Sequence, residues 1–63
     1  MFVIFKKYVN GSKICLNVNH IKSVQSVGGI VTIYTTLQED NGILYVSDTL
    51  EDVLKCIGAK ENF

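Results

Sequence analysis

Residues 21–37 read IKSVQSVGGIVTIYTTL and contain the pattern that decides the fold. Two β-branched, apolar segments flank the Gly28-Gly29 pair, which suits the positive φ angles of a tight hairpin turn. In the second segment, apolar side chains alternate with threonine and tyrosine, as they do in a strand with one buried face. The stretch therefore predicts two antiparallel strands, residues 21–27 and 30–37, joined by a two-residue turn.

The residues before this hairpin predict another one. Residues 2–9 are rich in β-branched and aromatic side chains, and the Asn10-Gly11 pair that follows favours a type I′ turn, whose two central positions both need positive φ. Residues 12–18 alternate between apolar and polar side chains, so we expect a half-buried strand. Residues 17–20, Asn-Val-Asn-His, interrupt the alternation and predict a bend, because Asn forms local turns with its own backbone.

The residues after the central hairpin predict a fifth strand and a helix. The polar residues 38–42 form a connection to the strand, residues 43–46. A helix over residues 48–57 follows, with Ser47 or Thr49 as its N-cap and with acidic side chains near its positive end. We expect it to end just before a glycine, Gly58.

The helix has one apolar stripe, which a single sheet face could cover. Its apolar residues recur at i, i+3, i+4 and i+7: Leu50, Val53, Leu54 and Ile57. We therefore predict an α+β fold in which a small antiparallel sheet of about five strands, a meander, has one C-terminal helix packed on it. A chain of 63 residues has room for a single domain, residues 1–63.

So short a chain needs support beyond its own core. Domains below roughly 70–80 residues commonly depend on disulfides, a metal or a partner subunit. The two cysteines are too few for a disulfide scaffold, and the isolated Cys15 and His20 lack the paired spacing of zinc ligands. Self-association or a protein partner is the support that we expect.

The N-terminal strand contains the residues that we expect to self-associate. Its apolar residues are consecutive, so both strand faces are apolar, whereas one helix covers only one sheet face. We predict a homo-oligomer, with a dimer as the expected form, and a self-association site made by Phe2, Val3, Ile4 and Phe5.

Charge is unevenly distributed although the net charge is zero. Residues 1–27 contain four lysines and no acidic residue, whereas residues 28–63 contain six acidic residues and two lysines. The lysines could be solvated groups that protect strand edges, or they could favour charge-complementary self-association. They could also form a nucleic-acid-binding face with neighbouring aromatic residues for base stacking, made by Lys6, Lys7, Lys13 and Lys22.

No motif in the chain indicates catalysis or cofactor binding. His20 is the one histidine, and no nucleophile or carboxylate pair is associated with it in a known catalytic order. Acidic residues at 48, 51 and 52 suit the start of a helix, and the glycine pair lacks the context of a phosphate-binding loop. We therefore expect a protein that is not an enzyme and that has no cofactor and no metal.

The N-terminus does not have the pattern of a secretion signal. It is apolar for five residues before Lys6 and Lys7, which is shorter than a signal peptide requires. The sequence contains no run of about 20 apolar residues, which is the length that a membrane-spanning helix needs. We expect a cytoplasmic protein without a membrane span.

Four segments occur in an order that is typical of a known family: KICLN at 13–17, HIKSV at 20–24, VTIY at 31–34 and YVSDTLEDVL at 45–54. Over residues 13–57 the chain resembles the small flagellar FlbD/SwrD family. It differs from that family in having Val18 where a proline is common, and in a longer loop at 38–42. The resemblance implies a motility-associated accessory protein.

The order of the elements also resembles that of two families of regulators. Five strands followed by a helix, with the start MFVIFKK, resemble the CsrA carbon-storage regulators, which are RNA-binding dimers. The acidic sequence at 47–49 stands where those regulators have a basic motif. The same order of strands and helix is similar to that of a truncated LytTR-type DNA-binding half.

Two functions are therefore predicted. The first is a small non-catalytic, oligomeric protein-interaction or regulatory module of bacterial or phage, plasmid or motility origin, with a protein partner that the sequence does not identify. The alternative is an RNA- or DNA-binding regulator that uses a basic N-terminal sheet face.

Overall fold

Alternating side chains and glycine turns divide the chain into five strands and one α-helix. The computed structural model describes residues 1–58, except for the side chains of Glu39 and Asp40. The elements in chain order are β1 (Phe2–Lys6), β2 (Lys13–Asn17), β3 (Ile21–Val27), β4 (Ile30–Thr35), β5 (Ile43–Val46) and α1 (Leu50–Ile57). The predicted α+β class is confirmed. Residues 59–63 of the predicted domain lie outside the described residues.

The strands form two antiparallel sheets and not the single meander that the sequence predicts. One sheet pairs β1 with β2, and the other has the order β3-β4-β5. A meander would also pair β2 with β3, but the side chain of Asn17 accepts a hydrogen bond from the Asn19 N–H at 3.0 Å and starts a 3₁₀ turn, Val18–His20. This turn separates the two strands.

A short contact between β1 and β5 joins the two sheets. Lys7 forms an isolated antiparallel bridge with Val46. On either side of the bridge, the Tyr8 N–H donates to the Tyr45 carbonyl and the Ser47 N–H donates to the Lys6 carbonyl, both at 2.9 Å. The end of the first hairpin therefore continues the three-stranded sheet along its β5 edge.

The two hairpins differ in their turns. Gly28 and Gly29 have φ angles of 57° and 83°, as a type I′ turn requires, and they join β3 to β4 as predicted. The type I′ turn predicted at Asn10 is wrong, because this residue does not adopt a positive φ. Instead the Lys7 N–H donates to the Ser12 carbonyl at 2.8 Å, which closes a four-residue loop. The Asn10 side chain holds this loop by accepting from the Ser12 N–H at 2.9 Å.

Helix α1 packs against both sheets. Its N-cap is Thr49, one of the two predicted caps, whose hydroxyl accepts from the Asp52 N–H at 3.1 Å, so the helix starts at Leu50 rather than at 48. It ends at Gly58 as predicted. The helix contacts β1 and β3, and its Val53 is completely buried. In residues 1–58 no helix has the length and apolar character that a membrane crossing would need.

A single cluster of buried apolar side chains forms the core. Both sheets and the helix contribute to it: Val3, Phe5, Leu16, Val31, Ile33, Leu44, Val46 and Val53. Because side chains alternate along a strand, each of these strands has a second face outside the cluster. That second face of the β1–β2 sheet is where the candidate site lies.

Candidate interaction surface

The first strand divides its apolar residues between the core and the surface. Val3 and Phe5 point inward and are 8% and 1% exposed. Phe2 and Ile4 point outward and are 66% and 59% exposed. Of the four residues predicted to self-associate, the structure therefore places two in the core of the chain itself and leaves Phe2 and Ile4 exposed.

Pairing with β2 completes an outer face that has an apolar end and a basic end. The register places Phe2 opposite Asn17, Ile4 opposite Cys15, and Lys6 opposite Lys13. We call these six residues the outer face. Cys15 is a free, exposed thiol beside the exposed Ile4. The face therefore combines a small apolar patch with two adjacent ammonium groups.

Strand β2 also presents an unpaired backbone edge. The Val18 N–H donates to the Met1 carbonyl and the Lys7 N–H donates to the Ser12 carbonyl, so the pairs 1/18 and 7/12 are hydrogen-bonded pairs of the β1–β2 ladder. In an antiparallel ladder every second pair exchanges hydrogen bonds, so the backbone groups of Ile14 and Leu16 face β1. Those of Lys13 and Cys15 face away from β1, and no backbone hydrogen bond found among residues 1–58 uses them.

The outer edge of the other sheet is less regular. The pairing of β3 with β4 shifts in register between Ile21 and Ser23, so Lys22 lies at a β-bulge. Bulges and lysines both discourage pairing of an edge strand with another chain. The pairing of β2 with β1 runs from Lys13 to Asn17 without a shift. The β2 edge could therefore accept a further strand more readily than the β3 edge.

The four lysines predicted to bind nucleic acid do not share one face. Lys6 and Lys13 are opposite each other on the outer face. Lys7 is the next residue along the strand and pairs with the buried Val46, so it lies half-buried on the other side. Lys22 belongs to the three-stranded sheet. The period of two along a strand separates Lys6 from Lys7, which a count of lysines in the sequence does not show.

A surface cleft of about 500 Å³ lies between the first hairpin loop and β5. Its lining residues are Lys7, Val9, Asn10, Asn41, Ile43, Leu44 and Tyr45. Among the side chains of this lining that the structure describes, Lys7 contributes the charged group. The described lining therefore offers amide, phenol and ammonium groups for binding.

His20 and Asp48 each form a hydrogen bond with a residue that is distant in the chain. The His20 Nδ1 lies 3.1 Å from the Thr36 hydroxyl, in an exposed pair. Asp48 accepts from the Lys6 N–H at 2.9 Å and so holds the end of β1. Among residues 1–58, apart from the undescribed side chains, no three histidine, cysteine or acidic residues come together as a metal site would require.

Comparison with protein-family models, with curated proteins and with solved structures finds no match to this chain. The resemblances to the flagellar FlbD/SwrD family and to the CsrA regulators stay predictions.

Proposed function

We propose that this chain is a small non-catalytic interaction module that forms a homodimer and contacts a protein partner in a regulatory or accessory role. The observation that carries the proposal is the exposure of Phe2 and Ile4 on neighbouring positions of one strand face. Single exposed apolar residues are ordinary, but a contiguous exposed patch is typical of an interaction site.

The architecture of the chain supports the same proposal. The β1–β2 sheet has two strands, and within the chain it is stabilised by its contact with helix α1 and by the bridge to β5. The β1–β2 sheet has its inner face on the core, whereas its outer face and β2 edge have no partner in the described part of the chain. A second subunit would supply a partner on this side of the β1–β2 sheet.

The dimer can be tested by light-scattering mass measurement with matched variants. We expect the native chain to have twice its 7.0 kDa mass, and a variant with Phe2→Ser and Ile4→Thr to dimerise more weakly, because Ile4 flanks Cys15 on the outer face. Val27→Thr is the control, because Val27 is 54% exposed but lies in the other sheet, so this variant should remain dimeric. A native chain that is monomeric at high micromolar concentration would overturn the proposal.

We also propose that the protein is cytoplasmic and of bacterial or phage, plasmid or motility origin. The cytoplasm is a reducing compartment in which thiols persist. Cys15 and Cys56 are both free and exposed, which is compatible with it.

Nucleic-acid binding is a second candidate function, and the facing pair of Lys6 and Lys13 favours it. Like charges directly opposite on a sheet are destabilising, so a bound phosphate would relieve their repulsion. The ion pair found among the described side chains joins Glu51 to Lys55 and involves neither of them. Tyr8 and Tyr45 are each about half exposed and are joined by a backbone hydrogen bond, so their rings could stack on bases.

Salt-dependent binding to a labelled single-stranded RNA tests this second function. Each lysine that contacts a phosphate should contribute about −0.7 to the slope of log affinity against log salt. Lys6→Glu with Lys13→Glu should abolish binding, whereas Lys55→Glu on the helix should weaken it little. Unchanged affinity in the double variant would exclude this face as the binding site.

A further inference from the structure

The edge of β2 carries backbone hydrogen-bonding groups with which a further strand could pair. The N–H and C=O groups of Lys13 and Cys15 face away from β1. Strand addition to such an edge is a common mode of association, because the main chain supplies the hydrogen bonds. The bulge at Lys22 makes the corresponding edge of β3 a poorer acceptor. The β2 edge is therefore the better site for strand addition.

The sequence of β2 is compatible with pairing to a second copy of itself. Cys15 is the central residue of the five-residue strand, so a two-fold axis at Cys15 would pair the strand over its whole length. In that register Lys13 lies opposite Asn17 of the second copy, and no like charges face each other. Moving the two-fold axis by two residues, from Cys15 to Lys13, would place Lys13 opposite Lys13 of the second copy, which is unfavourable. The length of the strand favours the central register, and charge disfavours the one centred on Lys13.

The same register brings apolar groups together on both sides of the sheet. On the inner side, the half-buried Ile14 would lie beside Leu16 of the second copy. On the outer side, Ile4 and Cys15 of the two copies would form one continuous row, because Ile4 is already opposite Cys15 within each chain. In this row Ile4 flanks Cys15 of its own chain and lies one strand away from the second copy.

We infer that the homodimer forms edge to edge through β2, with Cys15 on the two-fold axis and a continuous four-stranded sheet across the interface. The inference rests on the proposed function, because it names the surface through which that dimer forms. A hydrogen-bonded antiparallel pair has a Cα–Cα distance of about 5.5 Å, so the two Cys15 thiols would lie close together on the same face.

The two cysteines of the chain provide a test with an internal control. Both thiols are free and exposed, but Cys56 lies on the helix and away from the proposed axis. A short bifunctional maleimide, applied to the full chain, should give covalent dimer with the native protein and with Cys56→Ser. Covalent dimer should fall to background with Cys15→Ser. Equal crosslinking through Cys56, or none through Cys15, would overturn the inference.

A backbone substitution tests the hydrogen bonds themselves. The Cys15 N–H faces away from β1, so Cys15→Pro removes an edge donor without breaking the β1–β2 ladder. We expect the variant to have a circular dichroism spectrum like that of the native chain. Its dimerisation should be at least about tenfold weaker, because two symmetric edge hydrogen bonds are lost. Cys15→Lys, at an exposed position, is a second variant and should weaken the dimer by placing like charges opposite each other. Native-strength dimers in both variants would contradict the inference.

Mass measurement separates the failure of this inference from that of the proposed function. A native chain that stays monomeric refutes both. A stable dimer whose Cys15 thiols do not crosslink refutes the β2 interface and leaves the homodimer in place.

Discussion

At the scale of single residues, Gly42 is held both by its backbone conformation and by its surroundings. Its φ is +75°, and a Cβ there would lie 2.6 Å from the Thr35 carbonyl oxygen. We expect Gly42→Ala to lower the free energy of unfolding by at least about 2 kcal/mol, because the left-handed conformation and the backbone clash both oppose it. Urea denaturation measures the change. Gly11→Ala is the control, since Gly11 also has positive φ but nothing within 4 Å, and an equal loss in both variants would contradict the role of the clash.

Thr35 connects the end of β4 to the following turn through its hydroxyl. The hydroxyl donates to the Gly42 carbonyl at 3.3 Å and accepts from the Leu37 N–H at 3.2 Å, and the side chain is buried. Thr35→Val keeps the shape of the side chain and removes both hydrogen bonds, so we expect a loss of about 1–3 kcal/mol in the free energy of unfolding. Thr32→Val, at a second buried threonine of the same strand, should cost less, because valine suits a strand. Thermal or urea unfolding compares the two, and equal stability of Thr35→Val and the native chain would contradict this assignment.

At the scale of elements, α1 depends on its N-cap. The Thr49 hydroxyl accepts from the Asp52 N–H, and the helix is only eight residues long, so its first turn is a large part of it. We expect Thr49→Ala to lower the free energy of unfolding by about 1 kcal/mol and Thr49→Ser to preserve it, because serine is an equally good cap. Thermal unfolding followed by circular dichroism distinguishes them. Equal melting temperatures for the alanine variant and the native chain would show that the cap is not needed.

The elements also show what sequence patterns can and cannot predict. Local signals located β3, its Gly28-Gly29 turn, β5 and the end of the helix, because these depend on residues close together in the chain. The division into two sheets depends on the 3₁₀ turn after Asn17 and on the distant bridge between Lys7 and Val46. The predicted meander was wrong at this point, since a period of two within a strand does not specify its neighbours.

The candidate site was predictable only in part for the same reason. The excess of apolar residues in β1 was visible in the sequence, but their separation into core and surface sets required the direction in which the strand faces. Neither the bulge at Lys22 nor the free edge of β2 has a local sequence signal. Both follow from pairing partners that are remote in the chain.

At the scale of the whole molecule, the outer face and the β2 edge are the surfaces through which we propose that the chain contacts other molecules. Both lie on the two-stranded sheet, which has the fewest strands to stabilise it. A dimer through this sheet would satisfy the edge backbone groups and leave the outer face and the cleft beside β5 open to a further partner. We therefore expect a second copy to pair with β2.

Amide hydrogen exchange at several protein concentrations would detect the pairing of a second copy with β2. The amides of Ile14 and Leu16 face β1 and serve as internal references, because their hydrogen bonds exist in a single chain. We predict that the amides of Lys13 and Cys15 exchange slowly at high concentration and become fast on dilution, while the references change much less. Fast exchange at Lys13 and Cys15 at every concentration would contradict the account.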